Sequence, residues 1–340
     1  MNQKIEKTTP ETDTKDKNKT LSNRNEFLFL YDIKMGNPNG DPDENRPRVL
    51  PDNTFFVTDV RLKRFVRDYF KTIGNEILVD TIEGKTTNLT GRVAHYLKEK
   101  NKPFATGEEI VNILLDAFID GRLFGSSFAF KETTVLNKDG KNEKYQPEPI
   151  PKTLTGPVQI NMGEVLHEAE EINIPGTVIF GSAEEKTQGT FTEFWALRYA
   201  LIAFSGIANE NSAKLSRLTD EDYDLFIKAL WKCVRESANT RSKKGQMPHL
   251  LINIKYNQGS EFQIGRLQDY VKLLPSNNKP EKEWECPNDY KVDISELLKK
   301  VDLFKSKIQE ITYQKSDDCI IEQTIPKDWE KLDLDSLEAK

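Results

Sequence analysis

The chain has 340 residues, 36% hydrophobic and 31% charged, with a net charge of −6; it can bury a core but must carry a large polar surface. No apolar run approaches the roughly 20 residues that span a bilayer, and the polar N-terminal segment has no apolar stretch like that of a secretory signal. Three distant cysteines and three scattered histidines exclude a disulfide framework, a zinc ribbon and a histidine-rich metal centre. These features predict a soluble, cytoplasmic protein with no membrane partner.

In chain order, residues 1–24 are almost devoid of apolar side chains and predict a disordered polar tail. Glu26 to Lys34 is short, apolar and aromatic, a buried strand. The turn-rich Gly36 to Pro42 is loop. A helix follows, with Thr58 as N-cap and Leu62, Phe65, Val66, Tyr69 and Ile73 as its buried stripe. Glu108 to Ile119 predicts a second helix, and about 133–153 a loop or flexible insertion. Gly156 to Ile160 and Phe191 to Ile207 predict strands, with the polar Met162 to Gly189 projecting between them. Thr219 opens a helix with a capping-box-like sequence, buried through Tyr223, Phe226, Ile227, Leu230 and Val234. Strand Leu250 to Tyr256, an amphipathic helix over 293–310 and an acidic end at 317–340 complete the chain. Without the insertions the order is βαββαβ, an α+β, ferredoxin-like arrangement used by RNA-recognition modules.

The charge is polarised. Residues 46–67 hold six basic side chains (Arg46, Arg48, Arg61, Lys63, Arg64 and Arg67) against Asp52 and Asp59. Residues 316–340 hold eight acids against three lysines. A basic surface therefore survives an acidic average. Charged helix faces are commonly just solvated, but five arginines to one lysine favour bidentate phosphate contact and base stacking. The loop Asn37 to Asp43 reads either as a tight connector or as a phosphate cradle. Arg241 to Pro248 reads either as a basic helix C-cap or as a second phosphate clamp with Met247 as a wedge. GxxxxGK[ST], GxGxxG and GxSxG are absent, and Glu171 stands where HExxH would place its second histidine. No cofactor is implied.

Asn37-Pro-Asn-Gly-Asp-Pro42, Asn45-Arg-Pro-Arg48 and Val57 to Asp68 resemble the CRISPR-associated backbone subunit of type I surveillance complexes, the "Cas-seven" family in its I-B form. Gly156 to Gln159, Gln188 to Phe191, Tyr199 to Leu201, Thr240 to Lys243 and Gly245 to Pro248 extend the resemblance over about 26–256. It implies a modified RNA-recognition-motif palm over 25–316, with a loop at about 36–57, inserted fingers at 74–155 and a projecting thumb at 162–190. It also implies no catalysis. Copies would line up on a guide RNA (crRNA) beside other effector-complex subunits, reaching target DNA through the guide. The implied RNA contacts are Asn37, Asn39, Arg46, Arg48, Arg61, Lys63, Arg64, Arg67, Arg241, Lys243, Lys244, Gln246 and Met247. The implied base-displacing residues are Met162, Val178, Ile179 and Phe180. Two rivals stand beside this reading. One is a metal-dependent endoribonuclease using Asp41 or Asp43; the other is a scaffold whose arginines only make salt bridges between subunits.

Overall fold

A computed structural model describes residues 19–102, 105, 107–127, 133–136, 142–145, 153–178, 190–236 and 240–334. The principal elements are β1 (Asn25–Gly36), α1 (Asp59–Thr72), β2 (Val158–Ile160), β3 (Glu171–Val178), β4 (Thr190–Ala208), α2 (Asp220–Glu236), β5 (Gln246–Tyr256) and β6 (Ile308–Lys315). One main sheet joins them, in the order β6-β5-β1-β4, with short strands Gly163–Val165 and Phe56–Val57 beyond. β2 and β3 also pair with β4. Phe29 lies opposite both Phe204 of β4 and Leu251 of β5, so β1 is central and antiparallel to each neighbour. At the far edge Glu330–Lys331 adds to β6 in parallel, which makes the sheet mixed.

Alternation along β1 sends successive side chains to opposite faces. Phe27, Phe29, Tyr31 and Ile33 are buried with Leu62, Phe65 and Val66 of α1 and Phe226, Leu230 and Val234 of α2. Leu28 and Leu30 are buried with Leu267, Trp284, Tyr290 and Leu297, which belong to a C-terminal layer. The helices form as their sequences dictate. The Thr58 hydroxyl accepts from Arg61 N at 3.2 Å. Thr219 and Asp222 exchange a reciprocal pair, Asp222 N to Thr219 Oγ1 at 3.1 Å and Thr219 N to Asp222 Oδ2 at 3.3 Å, a capping box.

Several boundaries differ from the sequence reading. Leu21 is buried, Leu21 N donates to Leu218 O at 2.7 Å, and Arg24 pairs with Glu210, so residues 19–24 are part of the fold rather than tail. The acidic end also folds over its described residues, 317–334. Cys319, Trp329 and Leu334 are buried, and the region expected as one helix over 293–310 is helix Ser295–Leu303 followed by β6. The inserted segment after α1 builds its own small core from Val93, Leu97, Ile110, Leu114 and Phe118. The projecting element is shorter than 162–190. Val165 lies in the main core and His167 is tucked beneath Tyr199 and Trp284, so the excursion starts at β3.

Candidate nucleic-acid interface

Three segments meet where β1 ends: the loop after it, the first turn of α1, and the turn before β5. Asn37 N donates to Ser242 O at 2.8 Å, and Lys34 N to Gly245 O at 3.2 Å. Gly245 has φ +92°, and a Cβ there would meet Lys34 O at 2.9 Å, so this approach requires glycine. Asn39 ties the loop to the helix, its Oδ1 accepting from both the N–H and the hydroxyl of Thr58 at 2.8 Å. Asp41 Oδ1 accepts the N–H groups of Asp43, Glu44 and Asn45 at 3.0, 2.8 and 3.0 Å, folding the loop on itself. The Glu44 N–H above all holds that carboxyl below its ordinary range. The loop is therefore a braced structure.

Two cations are enclosed in this junction. Lys243 is 9% exposed and its ammonium donates to Asn37 O. Half-buried Arg61 lies over the Phe65 ring at 4.1 Å, and its Nε has no hydrogen-bond partner. Among the described residues neither makes a salt bridge. Burial first, then the charge of Arg61, pulls Lys243 down to about 8. Burial likewise pulls Arg61 below the ordinary guanidinium range. Asp68 attracts Arg61 without bridging to it; charges removed from water without a bridging counter-charge are expensive, and an anion at this junction would supply one. A phosphodiester fits, since the guanidinium and ammonium donate and carry positive charge.

The other expected contacts divide. Arg48 is half-buried with Nε donating to Gly40 O at 3.3 Å, while Arg241, Lys244 and Met247 are exposed. Asn37 and Gln246 are buried, and their amide NH2 groups donate to Asn45 O and Lys243 O at 2.7 and 2.8 Å, so they brace the junction. Arg67 is engaged within the fold. It is held by the fully buried carboxylate of Asp120 at 2.9 Å, joining α1 to the helix Ile119–Phe124. Lys63 pairs with Asp59 and Arg64 with Asp68, both at 2.9 Å one helical turn apart, and Arg46 pairs with Glu171 of β3. The exposed Arg64 pair is the loosest, since such a bridge contributes about 0–1 kcal/mol. Sequence reasoning missed Tyr31, whose buried hydroxyl lies near Arg61 without a partner, and the adjacent aromatics Phe194 and Trp195. The aromatic pair inside a long strand was the available signal.

The expected wedge residues separate. Met162 is half exposed, but Asn161 beside it donates to Ser205 O at 2.8 Å. That is roughly 26 Å along β4 from the hairpin base at Leu197, at the rise of an extended strand. Met162 is thus not on the β3–β4 hairpin. Val178 ends β3, and Ile179 and Phe180 lie outside the described residues. Among the described residues no group of three or more His, Cys, Asp or Glu side chains is placed to hold a metal ion, and no helix is long and apolar enough to cross a membrane.

The chain resembles known proteins over most of its length. A protein from Haloferax volcanii described as "CRISPR-associated protein Cas7" is 29% identical over 296 residues, covering 85% of this chain and 86% of that one. A chain of a solved "CRISPR RNA-guided surveillance complex, pre-nicking" superimposes with a TM-score of 0.51 at 11% identity, covering 91% of this chain and 96% of that one, a likeness of fold. The sequence model of the family "CRISPR-associated protein Cas7" matches residues 23–295, and the chain belongs to that family.

Proposed function

We propose that this chain is the guide-RNA-binding backbone subunit of a type I CRISPR surveillance complex of the I-B form. One observation carries the choice of site: at a junction of three braced segments Lys243 is enclosed beside Arg61, the lysine with no carboxylate partner and Arg61 with only the attraction of Asp68, whose salt bridge goes to Arg64. An RNA phosphate completes that site. Arg48, Lys244 and the loosely paired Arg64 extend the positive surface from it. Copies follow one another along the guide with other effector subunits, and bases left free pair with target DNA. The subunit is non-catalytic and acts in the cytoplasm.

The sheet order β5-β1-β4-β2 supports an RNA-recognition-motif palm, with the insertion after α1 as fingers and the β3–β4 hairpin as thumb. This palm departs from a simple RNA-recognition module in one respect. The sheet face away from the helices, where such modules stack bases, is covered here by the C-terminal layer. The guide therefore runs past the end of β1 and the start of α1 rather than across the sheet.

The test is to express the chain with its neighbouring genes and sequence the RNA that co-purifies. The wild type should carry a discrete small RNA. Arg61→Met with Lys243→Met should carry far less while eluting as a folded chain. Equal RNA per chain in the double variant would put the groove elsewhere.

A further inference from the structure

Arg46 and Arg241 look like RNA contacts by composition, but their surroundings give them another task. β4 outruns β1. Its last pairing with β1 is Leu197 opposite Gly36, so residues 190–196 pair with β3 instead. Phe194 and Trp195 stand at the base of this overhang, and as strand neighbours they face opposite sides of the ribbon. The Arg46 guanidinium lies 4.2 Å from the centre of the Trp195 ring, and that of Arg241 lies 4.7 Å from the centre of Phe194. Arg46 also grips Glu171, the first residue of β3, with two nitrogens, its Nε at 3.1 Å. The ribbon is therefore held on both faces and by both strands.

The two arginines come from the two segments that enclose the cation pair. Arg46 belongs to the loop whose Asn37 carbonyl receives Lys243, and Arg241 stands two residues from Lys243 itself. A two-stranded ribbon alone is marginal and twists strongly. A planar guanidinium can stack on a ring and pair bidentately at once, which an ammonium cannot do.

We propose that Arg46 and Arg241 are positioning residues that clamp the β3–β4 hairpin from its two faces and fix its direction relative to the RNA strand. The proposal rests on the guide-RNA reading above. A hairpin of fixed direction is what successive copies need in order to meet the guide, and one another, at regular intervals.

The test uses the full chain carrying Arg46→Lys and Arg241→Lys, which keeps both charges and removes the stacking. Without RNA, hydrogen exchange of the β3 amides should speed up about tenfold or more over wild type, while β1 and β5 stay protected. On an RNA short enough for one copy, affinity should stay within about threefold and the salt dependence should not change. On a long RNA the cooperative assembly and its regular nuclease-protection ladder should be lost. Phe194→Leu with Trp195→Leu, arginines intact, should behave alike. Unchanged β3 exchange overturns the clamp. So does a lysine variant with a wild-type ladder when the matching alanine variant loses short-RNA affinity with a shallower salt slope, because the arginines are then phosphate contacts. If the wild type binds no RNA, the guide-RNA reading fails, and the exchange arm still decides the clamp.

Discussion

Lys243 and Arg61 share an enclosed corner, and the closest partner of the lysine ammonium is the carbonyl of Asn37 rather than a carboxylate. Each charge raises the free energy of the unliganded fold, and each gains when an anion arrives. Stability and binding are therefore opposed at this position.

The opposition predicts mirrored pH profiles. With Lys243 at about 8 in the fold and about 10.4 unfolded, the unfolded chain alone holds the proton between those values. Stability of the free chain should rise with pH through that window, by up to ~3 kcal/mol. Below about pH 8 both states are protonated and the penalty is fully present. RNA affinity should fall over the same window as the ammonium discharges. Lys243→Met should flatten both curves and raise the melting temperature at pH 7. Melting temperatures and filter binding at fixed salt from pH 7 to 10 read both, and a wild-type melting curve parallel to the variant's would mean that Lys243 has a counter-charge.

Arg67 should behave in the opposite way. Asp120 is fully buried and accepts from Arg67 Nε at 2.9 Å, Leu78 N at 2.8 Å and Val79 N at 3.2 Å. Asp120→Ala would orphan a buried cation and two amides, so a loss of about 3–5 kcal/mol is expected. RNA affinity of the folded fraction should not change. Denaturant melts and binding on the same preparation separate the two effects, and lost affinity with intact stability would return Arg67 to the groove.

The difference between these arginines was not legible in the sequence. Local patterns were: the α1 stripe and the Thr219 capping box depend on residues within a few positions of one another. The partner of Arg67 is 53 residues away and that of Arg46 is 125 away, so a count of charges over 46–67 treats both as free. The same nonlocality hid the C-terminal layer. Its anchors Cys319 and Trp329 stand ten residues apart in an acidic stretch, and Ile308 and Ile311 fit a continued helix as well as a strand. The enclosure of Lys243 arises only once the turn before β5 is brought against the end of β1.

That layer predicts the outcome of trimming the acidic end. Trp329 is buried next to Tyr313 of β6, with ring centres 6.4 Å apart. Trp329→Ala should destabilise the chain by about 3–5 kcal/mol. Ending the chain at Ser316 would also remove Cys319 and Leu334, and should yield aggregated protein. A truncated chain with the wild-type melting temperature would show that the layer contributes nothing to the fold.

The ribonuclease rival turns on Asp41 or Asp43, and the geometry of the loop bears on Asp41. As a metal ligand it would have Oδ2 alone to offer freely, since Oδ1 already receives three backbone N–H groups. These bonds suit a residue that shapes the loop, and asparagine can accept them through its own Oδ1. Asp41→Asn should therefore keep RNA affinity, whereas Asp41→Ala should weaken it several-fold by loosening the segment whose Asn37 carbonyl holds Lys243. Purified wild type with labelled single-stranded RNA should leave the RNA intact in Mg²⁺ or Mn²⁺. Metal-dependent cleavage that survives repurification and vanishes in Asp41→Asn would make Asp41 a catalytic ligand and overturn the non-catalytic assignment.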